Sequence, residues 1–219
     1  MSSAKEDILA RIRSSLEGVG PAPEPVRNYR RVSELTEEQT IDMLVGRLID
    51  YKANVFFATP ENISEVIAER LGEKSTYVVP EGLDKKWLPA DTAERKHVTD
   101  SGSTLKPGCL SLKELDAVDA VVTGSTVSCA ETGTIFLNTN PEEGRRAITL
   151  VPDHHICVVP RSTVVELVPE AIERITYTRP VTMISGPSAT SDIELIRVEG
   201  VHGPVPWTSS STTPSKRNL

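Results

Sequence analysis

Apolar positions along this chain recur with two periods, about 3.6 and about 2, and the alternation of the two predicts an α/β protein. Ile8, Leu9, Ile12 and Leu16 fall at helical spacing between charged residues, which predicts an amphipathic helix over 3–16. Gly18 and Gly20 stop it, and Pro21, Pro23 and Pro25 make a stiff extended linker. A helix held off by such a linker either folds back to bury its stripe or docks on another chain, and the pattern leaves both open. A second helix is predicted over 36–51, with Thr36 as cap and acids in the first turn. A strand over 54–58 follows. Thr59 and Pro60 have the chemistry of a cap and a first helical residue, so a third helix is expected from there to Leu71, ended by Gly72. The next strand covers 76–79.

The segment 80–107 is weakly patterned, with a short helix expected near Trp87 and a short strand near His97. Ser111 and Glu114 form a capping box opening a helix to Ala117. A buried strand over 119–123 ends at Gly124. Residues 127–130 and 134–137, mostly apolar or β-branched, suit the two arms of a core hairpin. Further apolar runs predict strands over 147–151, 156–159 and 181–184. A helix over 162–175 must be kinked or split at Pro169, and 189–196 suits a helical turn. The resulting division is an N-terminal helical arm (1–20), a proline-rich linker (21–33), an α/β domain with a mainly parallel sheet flanked by helices (34–204), and a polar tail (205–219).

Charge narrows the partners. The 219 residues carry a formal net charge of −7, which gives no global electrostatic reason to expect nucleic acid or an anionic membrane. No apolar run approaches the roughly 20 residues a spanning helix needs. The N-terminus lacks the basic-then-apolar pattern of a secretory signal, so a soluble cytoplasmic protein is expected. Cys109, Cys129 and Cys157 are far apart with no Cys-x-x-Cys pair, so no iron–sulfur cluster, structural zinc or other cofactor is signalled.

Candidate chemistry gathers at the ends of predicted strands. Glu131 sits between the two apolar arms of the hairpin. A carboxylate buried there must be paired, hydrogen-bonded or open to a cleft, whereas Glu-Thr-Gly is also ordinary turn chemistry that could leave it in solvent. Gly124, Ser125 and Thr126 follow one strand; Ser185, Gly186 and Ser188 follow another. Such small-residue loops at the carboxyl ends of strands let backbone N–H groups approach a phosphate or carboxylate, or they are plain turns. Arg145 and Arg146 could hold an anion in a guanidinium fork, or could face Glu142 and Glu143 in solvent. His154 and His155 point to opposite faces of a strand and cannot easily share a metal. Asp192 in a helical first turn would have a structural role; Glu194 is less easily explained that way. Ser125 lacks the second glycine of a nucleophile elbow.

Three stretches together resemble the LUD-domain family: Thr123-Gly-Ser-Thr-Val-Ser-Cys-Ala-Glu-Thr-Gly-Thr134, the run from Gly144-Arg-Arg through His154-His155 to Val159, and Ile184-Ser-Gly-Pro-Ser through His202-Gly-Pro204. The resemblance implies a fold similar to ribose-phosphate isomerases, glucosamine-phosphate deaminases and CoA transferases. It implies a part in oxidising L-lactate to pyruvate beside two partners that look like iron–sulfur redox subunits. It also implies site candidates: Glu131 in the Ala-Glu-Thr-Gly-Thr motif, and Gly186, Ser188, Asp192, Glu194, His202 and Gly203 in the C-terminal motif.

The tail departs from that family. Where a strand resembling Arg-Thr-Leu-His-Val-Val-Leu is expected, the chain has Val205-Pro-Trp-Thr-Ser-Ser-Ser-Thr-Thr213. A permitted codon choice for 204–213, read one base earlier, gives Arg-Thr-Leu-Asp-Val-Val-Leu. A frameshift near codon 204, natural or from sequencing, would account for this, and the tail is then expected to lack a strand and be disordered. Two functional readings follow. In one, the chain is a non-redox subunit or accessory protein of an iron–sulfur lactate-oxidising system. In the other, it is an enzyme binding a small carboxylate or phosphate, with Glu131 as base or nucleophile and the strand-end loops and Arg145 or Arg146 as anion holders.

Overall fold

Local capping chemistry sets where several helices begin. In the computed structural model, Ser3, Thr36 and Ser111 each accept the backbone N–H three residues on, and Glu6, Gln39 and Glu114 return a bond to the cap's own N–H. The structure describes residues 3–73, 75–102 and 107–186, and the strand backbone at 189–191, 197–199 and 207–212. Its helices are α1 (Ala4–Leu16), α2 (Glu37–Asp50), α3 (Ile63–Leu71), α4 (Leu112–Asp116) and α5 (Val168–Glu173). The start of α3 lies later than Pro60 because the Asn62 side chain accepts the Thr59 N–H at 2.6 Å and closes a turn first.

The strands are β1 (Asn54–Ala58), β2 (Ser75–Pro80), β3 (Arg95–Asp100), β4 (Ala120–Thr123), β5 (Val127–Cys129), β6 (Thr134–Leu137), β7 (His154–Pro160), β8 (Val164–Val165), β9 (Thr182–Ile184), β10 (Ala189–Ser191), β11 (Arg197–Glu199) and β12 (Trp207–Thr212). Six form a wholly parallel sheet in the order β1-β12-β7-β4-β2-β3. Covered on both faces, its central strands read as continuous apolar runs, and alternate residues serve opposite cores. Tyr77, Val79, Val122, Ile156 and Val158 pack with Ile63 and Ile67 of α3. On the other side, Val78 and Val121 pack with Leu115 and Ile148, while Cys157 and Val159 meet Leu44 and Leu48 of α2 and Ile135 of β6. A second, mixed sheet, β8-β5-β6-β9, lies against that side, its outer surface covered by Val168 and Ala171 of α5.

Four expectations change. Residues 147–151 are not a strand: Arg146–Thr149 is a 3-10 turn that buries Ile148 and Thr149. A short apolar run fits either state, and the tight turn at Gly144 (φ +68°) leads the chain into this one. The helix expected over 162–175 divides into a 3-10 turn, β8 and α5, with Pro169 in the first turn of α5 where its missing N–H costs no bond. Ala189–Ser191 is a strand paired antiparallel with β11 rather than a helical turn. Trp207–Thr212 forms β12 between β1 and β7, although its polar sequence predicts no strand. Ladder hydrogen bonds are made by backbone, so the gap between β1 and β7 can be filled whatever the side chains. The rest of the tail lies outside the described residues. The arm does not fold back: no residue of α1 is buried, and Ile8, Leu9, Ile12 and Leu16 all face solvent.

Candidate functional site

The hairpin β5–β6 places Glu131 in a tight turn, where Gly133 (φ +61°) returns its N–H to the Ala130 carbonyl at 3.3 Å. Of the two readings left open, a paired buried carboxylate or a turn facing solvent, the structure takes the second in part, because the Glu131 side chain is 48% exposed. It is nonetheless held. Arg30 of the linker reaches across with one Nη to Glu131 at 3.1 Å and to Glu166 at 3.0 Å. The Glu131 N–H donates to the Glu166 carbonyl at 3.0 Å.

Glu166 is the anchor of this arrangement. It is 4% exposed, and its other carboxylate oxygen accepts the Ser33 hydroxyl at 2.6 Å and the N–H groups of Glu34 and Leu35 at 3.0 and 3.3 Å. The Ser33 hydroxyl bond, with the two N–H groups and Arg30, outweighs burial and holds this carboxyl below the usual carboxylate range.

The glutamate turn and the Ser185–Gly186 loop are brought together. Thr134 Oγ1 lies 2.8 Å from both the Thr132 and Ser185 hydroxyls. Tyr51 wedges between the two loops. A Cβ on Gly133 would come within 2.6 Å of the Arg47 Cβ, and one on Gly186 (φ +93°) within 3.0 Å of the Tyr51 ring, so both positions need glycine for close approach and for backbone conformation. Ser188, Glu194 and His202, with Asp192 and Gly203, lie outside the described residues.

The other candidates fall elsewhere. Gly124 donates its N–H to Glu142, Ser125 is buried with its hydroxyl on the Val158 carbonyl at 3.1 Å, and Thr126 donates to Glu143 at 2.5 Å. These bonds tie strand ends together. Arg145 is not beside Glu142 and Glu143 in solvent. It grips buried Asp100 from Nε and Nη2, the shortest contact being 2.9 Å, and also donates to the Leu110 carbonyl. Although burial opposes it, the Arg145 bond together with the Leu110 and Gly102 N–H groups keeps the Asp100 carboxyl low. Arg146 is exposed. His155 is fully buried with Nε2 2.8 Å from Thr123 Oγ1, and burial, aided by His154, lowers it to about 3. Cys129 and Cys157 are buried, and burial pushes the Cys157 thiol up to about 12.

Sequence reasoning missed Arg30, Asp100 and Glu166, and read Glu143 only as a solvated partner of the arginines. Glu143 is 1% exposed. Burial raises its carboxyl against bonds from Thr126, Asn140 and Asn138. An acid inside an apolar stretch, as in Val164-Val-Glu166-Leu-Val168, was the available signal for Glu166.

Among the described residues no group of three or more His, Cys, Asp or Glu could hold a metal ion, and no helix is long and apolar enough to cross a membrane. A parallel sheet flanked by helices and backed by a mixed sheet defines the protein as an α/β domain. The family model of the LUD domain matches residues 41–207, and the chain belongs to that family. It is 38% identical to lactate utilization protein C of Deinococcus radiodurans over 93% of this chain and 92% of that one. Lactate utilization protein C of Macrococcus caseolyticus is 25% identical, with 92% of each covered. Among solved structures, the crystal structure of a DUF162 family protein from Deinococcus radiodurans superposes with a TM-score of 0.69 at 33% identity, covering 82% of this chain and 99% of that one.

Proposed function

We propose that this chain serves lactate utilisation as a subunit or accessory protein of an iron–sulfur system that oxidises L-lactate to pyruvate, bringing no redox group of its own. The observation that carries the reading is the 38% identity, across 93% of the chain, to a protein named lactate utilization protein C. The exposed stripe of α1 supports it in a second way. An amphipathic helix held away from its own domain has an apolar face suited to the groove of another chain. The test is co-purification with candidate iron–sulfur partners, followed by lactate-dependent reduction with and without this protein. Loss of rate on omission is the expected result, and an unchanged rate would remove the proposal.

A second reading, that the domain binds a small anion and uses Glu131 as base or nucleophile, is supported by the half-exposed Glu131 carboxylate and by the Thr134–Ser185 bond that brings the two motif loops together. On this reading Glu131→Gln abolishes growth on lactate while the melting temperature falls by no more than about 4 °C, since an exposed pair contributes about 0–1 kcal/mol. Wild-type growth would leave Glu131 as a turn residue.

A further inference from the structure

β1 ends the parallel sheet, and among the described residues it pairs with β12 alone. Its outer side therefore carries a row of backbone N–H and C=O groups with no strand partner. Proteins usually blunt such an edge with charge, proline, a bulge or brevity. The other edges of this molecule follow that rule. β3 ends the same sheet with Arg95, Lys96, His97 and Asp100 among its six residues. β8, β9, β10 and β11, the edges of the smaller sheets, are two or three residues long. β1 does none of this. It reads Asn54-Val-Phe-Phe-Ala58, five residues without a charge or a proline, in uninterrupted register with β12.

The side chains of β1 are as open as its backbone. Phe57 is 53% exposed, and Phe56 is only partly covered, with the Arg70 guanidinium of α3 4.1 Å from the centre of its ring. Arg70 Nε is itself buried with no hydrogen-bond partner, so an acceptor is wanting beside the same strand.

We infer that β1 is a self-association edge: two copies of this chain join β1 to β1, antiparallel across a two-fold axis at Phe56, and so merge their six-stranded sheets into one. Only another strand satisfies a row of backbone groups, which fixes the kind of occupant. About the two-fold axis the apolar edge meets itself. Val55 lies opposite Phe57 of the second copy on one face, and Phe56 lies opposite its counterpart on the other. These are the β-branched–aromatic and aromatic–aromatic pairs that stabilise antiparallel strands. A union of β1 with β3 would build an open-ended fibre, and it sets Phe56 and Phe57 against Arg95, Lys96 and His97. That mismatch of charge with apolar surface leaves the closed pair. Each face of β1 is backed by a helix, Val55 packing with Leu44 and Leu48 of α2 and Ala58 with Ile63 and Ile67 of α3. Five residues at about 3.3 Å each, in three layers about 10 Å thick, present a side of about 17 Å by 30 Å. That is roughly 500 Å² per copy and 1,000 Å² in all, the lower limit for a specific interface, and it gives micromolar rather than nanomolar association.

The test is sedimentation velocity of the intact protein from about 5 to about 500 µM, repeated with Phe57→Lys and with Leu112→Lys, a control at an exposed apolar residue of α4. Wild type and control are expected to pass from monomer to dimer within that range, and Phe57→Lys to need at least about tenfold more protein. Amide exchange in residues 54–58 of the wild type should slow as the protein is concentrated, while that of β3 stays unchanged. A monomer at every concentration, a dimer indifferent to Phe57→Lys, growth beyond the dimer, or β1 exchange that ignores concentration would overturn the inference. A circular dichroism melt of dilute Phe57→Lys matching wild type separates loss of the contact from loss of fold, and if the variant melts lower the β1 exchange of the wild type decides.

Discussion

Glu166 is buried in the domain, yet the groups that satisfy it come from the end of the linker and the two residues after it, as many as 133 residues away in sequence. Its carboxyl is lowered chiefly by the Ser33 hydroxyl, then by the N–H groups of Glu34 and Leu35 and by Arg30, against the opposing effect of burial. A lowered carboxylate contributes stability that is present above the ordinary value near 4.3 and is lost as pH falls through the folded one. The attachment of residues 33–35 is therefore complete at neutral pH and released in acid. Glu166→Gln keeps the shape but removes the charge and one acceptor oxygen. We expect the amides of Glu34 and Leu35 to exchange with deuterium several-fold faster in that variant at pH 7, with the sheet amides unchanged. Arg30→Ala should do less, because its guanidinium is half-exposed and it lowers Glu166 least of the groups that hold it. Unaltered exchange in Glu166→Gln would mean that the linker is held by something else.

At the level of elements, what could be read from the chain was what is encoded locally. The capping box at Ser111 and the cap at Thr36 lie within four residues of sequence and were read as such, and the strand 54–58 is bounded as the pattern predicts because Ala58 is followed by turn chemistry. The hairpin was legible from its apolar arms, and its glycine from the turn between them. Elements decided by distant neighbours were not legible. The run 147–151 is apolar in either state, and an acid at 166 inside an apolar run signals a burial that must be satisfied but not that Ser33 satisfies it.

β12 is the extreme case. It occupies an interior position in a parallel sheet, where a strand covered on both faces ordinarily reads as Val, Ile and Leu, but its sequence is Trp-Thr-Ser-Ser-Ser-Thr. The LUD match also ends at residue 207, where this segment begins. Both facts are what a frameshift would leave, although its expected consequence, a missing strand, is not met because β12 pairs with β1 and β7. Resequencing the gene from its source is expected to restore Arg-Thr-Leu-Asp-Val-Val-Leu at this place, and the intact mass of the natural protein should differ from that of the 219-residue chain. A gene that encodes Trp207-Thr-Ser-Ser-Ser-Thr212 in frame, with a matching intact mass, would reject the frameshift and leave a polar strand at the centre of the sheet.

For the molecule as a whole, the sheet interior determines the response to acid. His155 is enclosed on β7 with Thr123 as its polar neighbour, and burial lowers it to about 3. Its unfolded value is near 6.5, so the unfolded chain binds a proton that the folded one refuses. The stability this contributes is complete above pH 6.5 and declines as pH falls through the window from 6.5 to 3, by as much as about 1.4 kcal/mol per unit. His154, lowered by burial, acts in the same direction, whereas Glu143, raised by burial, acts in the opposite one. Asp100 and Glu166 are lowered carboxyls and contribute mainly below about pH 4.5, outside the upper part of this window. Denaturant unfolding at pH 6.5 and pH 5 therefore reads the histidines against an opposing Glu143, and the His155 variant separates the two. Wild type is expected to lose up to about 2 kcal/mol across that interval from His155 alone. His155→Gln, which retains a polar group for Thr123 but cannot titrate, should be less stable at neutral pH through imperfect packing yet show a shallower loss over the same interval. An identical slope in the two proteins would mean that His155 takes up its proton in the folded state as readily as in the unfolded one.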